Sequence, residues 1–290
     1  MTAQRQDRPG PLVIPAVVVI GAGMALAGSQ GGASFRGTPL FAVVVAVAFL
    51  IQWAAFVPAY LRQTERFFDL TGSLTYITVT VLAALLAPTV DARSLLVAAL
   101  VVVWAARLGV FLFRRVHRAG GDRRFDAIKP SFARFLLTWS LQGLWVTLTL
   151  APALVVITTT ARRPLGPVAA IGALVWIFGF VFEVVADEQK RRFRADPANR
   201  GRFISTGLWA RSRHPNYFGE IVLWSGMALI AVPVLRGWQW ASLISPLFVA
   251  ALLTRVSGIP MLEQRADEEW GGREDYQAYK ARTPVLIPRA

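Results

Sequence analysis

Eight apolar segments, each near the length of a membrane-crossing helix, constrain the fold of this chain more than any other feature. They are residues 12–28, 40–60, 73–87, 95–113, 134–158, 168–186, 220–235 and 240–256. About 20 mainly apolar residues cross the hydrocarbon layer as a helix, and shorter segments can do so when tilted or paired. Hydrophobic residues make up 55% of the chain and charged residues 17%, which agrees with a lipid environment. The sequence therefore predicts an all-α, polytopic transmembrane helix bundle with seven to eight spans.

The lysine and arginine residues are divided unevenly between the two sides of this bundle. Of the 31, two lie within spans, 24 lie on the side of the termini, and the other side has only Arg36, Arg93, Arg162, Arg163 and Arg236. Because loops rich in lysine and arginine stay in the cytoplasm, we predict a multi-pass protein of the cell's inner membrane with both termini cytoplasmic. The net charge of +14 then indicates contact with anionic membrane lipids, and we predict no nucleic-acid partner.

Few side chains are available for metal or thiol chemistry. The chain has no cysteine and only two histidines, His117 and His214. Disulfides and cysteine nucleophiles are therefore excluded, and a zinc or di-iron site would lack its usual set of nitrogen, sulfur or clustered carboxylate ligands. We predict no metal site.

The sixth apolar segment continues as a polar helix beyond the predicted membrane surface. Spacings of three and four place on one helical face Glu183, Asp187, Lys190, Arg191 and Arg194. A carboxylate near the membrane boundary is costly unless it is paired or faces a wet cavity, so we expect Glu183 to point into the bundle. A ladder of ion pairs within the helix is the structural alternative, at roughly 0.3 kcal/mol per pair.

The segment 211–224 has the residues best suited to hold a phosphate. Pro215 fits the first turn of a helix, so we predict that the seventh helix starts at His214-Pro215. Its free N–H groups would lie beside Arg213 and His214 and favour an anion. Asn216, Glu220 and Trp224 follow at intervals of four and supply an amide, a carboxylate and an indole to one cleft. The alternative is a basic anchor for anionic lipid, with Glu220 paired to a nearby arginine.

Two other polar regions are candidates for function. Glu65 and Asp69 precede Thr71-Gly72-Ser73, where Asp69 could be catalytic or could cap a helix. The tail predicts an amphipathic helix over 261–270, a stop at Gly271-Gly272, and a second helix from Glu274 that ends at Thr283-Pro284. This tail could cap a cofactor cleft from the cytoplasm or lie on the lipid headgroups.

Three motifs in the second half of the chain resemble those of a known family. They are Glu183-x-x-Ala186-Asp187-x-Gln189-Lys190-x-x-Phe193, Gly207-Leu208-Trp209-x-x-Ser212-Arg213-His214-Pro215-Asn216-Tyr217-Phe218-Gly219-Glu220, and Tyr276-x-x-Tyr279-x-x-x-Thr283-Pro284-x-x-Ile287-Pro288. Over residues 180–290 the chain resembles the bacterial DUF1295 group, which is similar to the C-terminal domain of steroid 5-alpha-reductases. Phe68-Asp69-Leu70-Thr71-Gly72-Ser73 and Trp104-x-x-Arg107 resemble the group more weakly. A shorter Arg-His-Pro-x-Tyr core also occurs in membrane methyltransferases of the isoprenylcysteine carboxyl type.

The resemblance implies an NADPH site with Asn216 and Glu220 at the nicotinamide end. The other predicted cofactor contacts are either implied by the resemblance or lie within its motifs. They are Arg115, Arg118, Asp187, Arg194, Arg213, His214, Tyr217, Trp224 and Arg255. In the family, hydride passes to the β-carbon of an enone while an acid and a tyrosine polarise the carbonyl oxygen. The acid falls at Asp69, with Glu65 as the alternative. The tyrosine position is Trp104, whose indole cannot supply a phenolic proton.

The function that the resemblance implies is NADPH-dependent reduction of a carbon–carbon double bond conjugated to a carbonyl, in a steroid-like or other lipid substrate. Residues 1–130 would hold the N-terminal helices and a substrate cavity, and residues 131–290 the cofactor-binding domain with its cytoplasmic cap. The chief alternative is a membrane methyltransferase that uses S-adenosylmethionine, and a third is a non-catalytic lipid-binding or scaffold protein. Asn216, Gly219-Glu220 and Asp187-x-Gln189 favour the reductase. The sequence predicts neither the oligomeric state nor the substrate's identity.

Overall fold

The computed structural model describes residues 12–119 and 121–289, and helices dominate it. The helices are α1 (Val13–Ser29), α2 (Leu40–Leu61), α3 (Phe68–Leu86), α4 (Ala92–Ala119), α5 (Phe132–Thr158), α6 (Pro167–Ala195), α7 (Pro215–Ala231), α8 (Ile244–Ala251), α9 (Ile259–Trp270) and α10 (Glu274–Arg282). A hairpin of two antiparallel strands, β1 (Ser34–Phe35) and β2 (Thr38–Pro39), joins α1 to α2 and was not predicted.

Seven helical segments in the described part are long and apolar enough to cross a membrane. They are Leu40–Leu61, Phe68–Leu86, Ala92–His117, Phe132–Thr158, Pro167–Ala195, Pro215–Val234 and Gly237–Trp270. Helix α1 is apolar but shorter, with 17 residues. The predicted all-α bundle of seven to eight spans is confirmed. The last span is irregular, because 3-10 turns precede α8 and a π-helical turn, Leu252–Val256, follows it.

The chain folds as two compact units. The first unit contains residues up to 165 together with 231–243, and the second contains 166–230 together with 244–290. Helix α5 lies at the centre of the first unit, where it packs against α1, α2, α3 and α4. Its C-terminal half is buried on all sides, as expected for a helix that is apolar all round. The structural boundary therefore falls after residue 165, whereas the sequence placed α5 with the C-terminal half; the functional division at residue 130 stays a prediction.

In the second unit, α6 and α7 approach each other until their backbones touch. A Cβ atom on Gly219 would lie 2.6 Å from the backbone nitrogen of Glu183 and 2.7 Å from the carbonyl oxygen of Gly179. A Cβ atom on Gly226 would lie 2.5 Å from the nitrogen of Trp176 and 2.6 Å from the oxygen of Gly172. Glycines spaced by seven residues on both helices leave room for this contact, as small residues do between membrane helices.

The tail forms the two helices that the sequence predicts, and a short strap follows them. We call residues 283–289 the strap. The Arg213 N–H donates to the Pro284 carbonyl (2.9 Å), the Ser212 hydroxyl to the Leu286 carbonyl (2.8 Å), and the Arg289 N–H to the Arg211 carbonyl (3.1 Å). The strap thus fixes the backbone that leads into α7. This packing favours a capping tail over one that lies free on headgroups, and its place above a cofactor stays a prediction.

Candidate functional site

The predicted site residues fall in both units, and each unit is described by itself. The first unit contains Glu65, Asp69, Trp104 and Arg115. The second contains Asp187, Arg194, Arg213, His214, Asn216, Tyr217, Glu220, Trp224 and Arg255. The side chain of Arg118 lies outside the described part of the chain.

The start of α7 lies where the sequence predicts it. Pro215 is the first residue of the helix, and Arg213 and His214 directly precede it. His214 is buried, with its Nε2 2.8 Å from Oε1 of Glu263 on α9. The other oxygen of Glu263 lies 2.7 Å from Nη1 of Arg213. One carboxylate therefore holds both side chains that the sequence assigns to phosphate.

Glu263 is a site residue whose partners the sequence did not predict. It lies 49 residues from His214 along the chain, so no local spacing connects the two. Its role here is to dock α9 onto the helix start.

Helices α6 and α7 bring together two residues that the family resemblance assigns to the cofactor. The Asn216 amide donates a hydrogen bond of 3.2 Å to Oδ1 of Asp187. Asp187 and Glu183 are buried, as expected for carboxylates that point into a bundle, and Trp224 is buried on the same face of α7 as Asn216. Asp187 and Asn216 are therefore neighbours in the structure, and their contact with a cofactor stays a prediction.

The alternative of an ion-pair ladder on α6 is realised through a different carboxylate. Arg191 and Arg192 each approach Glu188 to 2.6 Å, while Arg194 is exposed. Glu188 is partly exposed, whereas the carboxylates of Glu183 and Asp187 are buried.

Tyr217 and Arg255 lie around the break between α8 and α9. The ring of Tyr217 stacks on His214 with centroids 5.7 Å apart and an interplanar angle of 10°. A Cβ atom on Gly258 would lie 2.9 Å from the Tyr217 ring, so the break packs directly against it. Arg255 is exposed in the π-helical turn before that break. Such turns occur often at functional sites.

The charge at the α7 start is set by burial and by paired ions. Burial lowers the pKa of His214, and this outweighs the opposite effect of Glu263. His214 is therefore neutral near pH 7 and donates its Nε2 proton to the carboxylate. Lys190 lies 4.3 Å from the centre of the Trp209 ring, and its charge, like that of Arg213, disfavours protonation of His214. Cations and helix N–H groups are the groups that bind phosphate in proteins, and an anion at this helix start stays a prediction.

The lowered pKa of His214 predicts that the protein loses stability in mild acid. Below about pH 6.5, the ordinary pKa of histidine, His214 binds a proton in the unfolded chain but stays neutral in the folded one. Melting temperature should therefore be highest above about pH 6.5 and should fall as the pH drops towards about 5.5. Melting curves of purified protein across this window measure the effect.

The variant His214→Gln keeps a donor for Glu263 and should flatten this fall. The exposed His117 is the matched control, and His117→Gln should leave the fall unchanged. An equal acid response in wild type and His214→Gln would show that another group titrates.

In the first unit, Glu65 is a structural carboxylate. It is buried, lies 2.6 Å from the Lys129 ammonium, and accepts a 2.8 Å hydrogen bond from the Asp122 N–H. Burial acts to raise its pKa, but these hydrogen bonds outweigh burial and the pKa is lowered. Glu65 therefore stays ionised and fastens the 121–129 segment to the turn between α2 and α3.

Asp69 has a more open environment. Its side chain is 19% exposed, and Oδ2 lies 3.5 Å from Nη2 of Arg115 on α4. The structure thus brings together the predicted acid and one predicted cofactor residue. Comparison with Glu65 favours Asp69 as the group free to meet a substrate.

Tyr76 is a candidate that the sequence analysis missed. Its ring meets Trp104 edge-on, with centroids 5.0 Å apart, and both side chains are buried. Tyr76 follows Asp69 by seven residues on α3, so the two lie on one helical face. That spacing was the signal that could have revealed it. A phenol therefore lies beside the indole that replaces the family's tyrosine.

Several known proteins are similar to parts of this chain. "Uncharacterized protein C594.04c" of Schizosaccharomyces pombe is 27% identical over 52% of this chain and 54% of its own length. "3-oxo-5-alpha-steroid 4-dehydrogenase 1" of Mus musculus is 28% identical over 42% of each chain. "Probable O-methyltransferase ustE" of Ustilaginoidea virens is 32% identical over 26% of each chain. The chain spans about half or less of the length of these relatives. No solved structure matches.

The family relationship rests on a longer match. The model of the family described as "Protein of unknown function (DUF1295)" matches residues 55–283, which include α3 to α10 and every predicted site residue. Similarity to a steroid dehydrogenase supports the predicted relationship to the steroid 5-alpha-reductases. The chain belongs to the DUF1295 family.

Proposed function

We propose that this protein is an integral-membrane NADPH-dependent reductase. Its reaction reduces a carbon–carbon double bond conjugated to a carbonyl, in a steroid-like or other lipid substrate. The observation that carries the proposal is the contact between Asp187 and Asn216 beside the Arg213–His214 helix start. Similarity to 3-oxo-5-alpha-steroid 4-dehydrogenase 1 supports it.

The groups around the α7 start fit the chemistry of a dinucleotide. A pyrophosphate needs cations and N–H donors, which Arg213, Lys190 and the first turn of α7 supply. A nicotinamide carries a carboxamide, which the Asn216 amide and the Glu220 carboxylate can hold by hydrogen bonds. Arg194 and Arg255 are exposed and could reach an outer phosphate.

The cofactor's contribution is a hydride, and the chain's own work is to position and polarise the substrate. Reduction of an enone places negative charge on the carbonyl oxygen, so a donor at that oxygen lowers the barrier. Asp69 in its protonated form can donate there, and the neighbouring phenol of Tyr76 can assist. Exposed apolar side chains on the helices give a lipid substrate a route from the bilayer.

A comparison of cofactor binding tests the proposal. Purified full-length protein in detergent is titrated with NADPH and, separately, with S-adenosylmethionine. We expect NADPH to bind and to raise the melting temperature, and S-adenosylmethionine to do neither. Binding of S-adenosylmethionine alone would favour the methyltransferase, which the short similarity to ustE suggests. Binding of neither would favour a non-catalytic lipid-binding or scaffold protein.

The proposal also requires the α7 start to face the cytoplasm, where NADPH is supplied. The chain contains no cysteine, so single cysteines can be introduced and labelled without background. Gln264→Cys on α9 and Arg236→Cys before α8 are exposed sites on opposite predicted sides. In intact cells we expect an impermeant reagent to label Arg236→Cys only. Labelling of Gln264→Cys instead would reverse the predicted orientation in the inner membrane.

The proposed acid predicts a strong effect of Asp69→Asn. This variant keeps the shape of the side chain but removes the acidic proton, so turnover should fall about 100-fold while NADPH binding stays. Turnover with an enone lipid and NADPH titration separate the two effects. A larger loss in Glu65→Gln than in Asp69→Asn, at equal melting temperature, would assign the acid to Glu65.

Tyr76→Phe should lower turnover by about tenfold if the phenol assists the carbonyl. The variant keeps the ring against Trp104 and removes only the hydroxyl, so the fold should be retained. The partly buried Tyr60, which stacks on Phe56 at the end of α2, provides the control variant Tyr60→Phe. Equal turnover in wild type and Tyr76→Phe would leave Asp69 as the only polarising group.

A further inference from the structure

A cavity in the first unit lies where α4 begins and where the chain leaves α5. Its volume is about 310 Å³, and two short segments, 91–93 and 162–165, line it. Three of the lining residues are arginines, Arg93, Arg162 and Arg163, and one is an acid, Asp91. The arginines thus outnumber the carboxylate in the cavity wall.

Two of the arginines are fixed in place by neutral groups. Nη1 of Arg162 lies 2.8 Å from the Ser94 hydroxyl, and Nη2 lies 2.6 Å from the Thr89 carbonyl. Arg93 is 2% exposed and donates from Nη2 to the Pro164 carbonyl at 2.8 Å. Carbonyls and hydroxyls orient a guanidinium without neutralising it. With three guanidinium groups and one carboxylate among its lining residues, the cavity wall has a net positive charge.

The one carboxylate is already occupied in capping α4. Asp91 accepts hydrogen bonds from the Ser94 N–H (2.8 Å) and from its hydroxyl (2.7 Å), and it lies 3.6 Å from Arg162. Burial acts to raise the pKa of Asp91, but these hydrogen bonds and the arginines outweigh it and lower the pKa. Asp91 is thus ionised and offsets one positive charge. Arg163 is exposed, and the ion pairs found in the described part of the chain do not include it.

We propose that this cavity binds the phosphate group of an anionic ligand. Guanidinium groups match phosphate oxygens in geometry and charge, and the N-terminal end of α4 adds a favourable dipole. The rim is apolar, since Leu165 is 49% exposed beside the arginines. A lipid headgroup at the membrane surface would place its phosphate on the arginines and its glycerol chains along this rim.

The predicted topology is a second, independent argument that the cavity binds an anion. The side on which the sequence predicts these loops to lie has only five arginines or lysines, and three of the five line this cavity. Basic residues are depleted on that side of a membrane protein. Their convergence on one cavity therefore indicates an anion. The inference does not depend on the proposed reductase function.

The test compares lipid binding in wild type and in Arg163→Gln. The purified full-length protein is stripped of lipid and titrated with phosphatidylglycerol or phosphatidylcholine, and bound lipid is counted by native mass spectrometry. We expect phosphatidylglycerol to bind, phosphatidylcholine to bind poorly, and Arg163→Gln to bind phosphatidylglycerol about tenfold more weakly. Arg163 is exposed outside the helices, so its replacement should leave the fold intact.

Arg236→Gln is the matched control, because Arg236 is also exposed and lies on the same predicted side. It should bind phosphatidylglycerol as wild type does. A second arm adds inorganic phosphate: displacement of the lipid would assign the cavity to the free anion, and retention would assign it to the headgroup. Equal phosphatidylglycerol binding in wild type and Arg163→Gln, or an equal loss in Arg236→Gln, would overturn the proposal.

Discussion

Replacement of Gly219 by alanine is expected to separate α6 from α7 and to unfold the second unit at a lower temperature. The new Cβ would meet two backbone atoms, the nitrogen of Glu183 at 2.6 Å and the oxygen of Gly179 at 2.7 Å. A side chain can relieve a clash by changing its rotamer, but the backbone atoms of a helix cannot. The two helices must therefore move apart. Overpacking of this kind costs about 3 kcal/mol, which corresponds to a fall in melting temperature of about 8 °C.

The same variant should weaken cofactor binding, because Asn216 lies three residues before Gly219 and contacts Asp187 across the same interface. Gly23→Ala in α1 is the matched control. Gly23 is also inside a helix, but a Cβ there meets nothing within 4 Å. Alanine at this position should leave the melting temperature unchanged or raise it slightly. A Gly219→Ala protein as stable as Gly23→Ala would show that α6 and α7 are not in backbone contact.

The sequence predicts helix positions well where a local rule applies. Apolar runs of fixed length define the spans, Pro215 marks the start of α7, and Gly271-Gly272 marks the end of α9. Each of these signals acts within a few residues of the feature it determines. The helix-face rule placed Asn216, Glu220 and Trp224 on one face of α7, whereas only the family resemblance assigned Asp187 to the same cofactor.

Features that depend on long-range packing were not predictable in the same way. Glycines spaced by seven residues are visible at Gly172 and Gly179 on α6, but the spacing does not reveal which helix they face. The sequence placed α5 with the C-terminal half although it packs among the helices of the first unit, because a uniformly apolar helix shows no preferred neighbour. The partner of Arg213 and His214 is Glu263, which only the folded tail brings near.

These long-range contacts converge on the backbone before α7. Glu263 docks α9 onto Arg213 and His214, while the Tyr279 hydroxyl donates to the Trp209 carbonyl at 2.7 Å. The strap adds three hydrogen bonds with residues 211–213. A segment outside any helix would otherwise be mobile. The proposed phosphate site is therefore rigid only while the tail is in place.

Removal of residues 284–290 is accordingly expected to weaken NADPH binding by about 100-fold, from three lost hydrogen bonds worth about 1 kcal/mol each. The truncated protein loses the acceptors for the Arg213 N–H and the Ser212 hydroxyl, and the donor to the Arg211 carbonyl. Titration of the purified protein with NADPH measures the loss. Hydrogen exchange provides a readout that needs no cofactor, since the Arg213 amide should exchange faster.

The control for the truncation changes strap side chains and keeps the strap backbone. Val285 and Ile287 are exposed. The strap contributes only backbone atoms to its hydrogen bonds with residues 211–213. The double variant Val285→Ala with Ile287→Ala should therefore match wild type in both measurements. If the truncated protein protects the Arg213 amide as wild type does, the strap does not order the α7 start. If that amide exchanges faster but NADPH affinity is unchanged, the strap orders a segment that the cofactor does not contact, and the phosphate site must lie elsewhere.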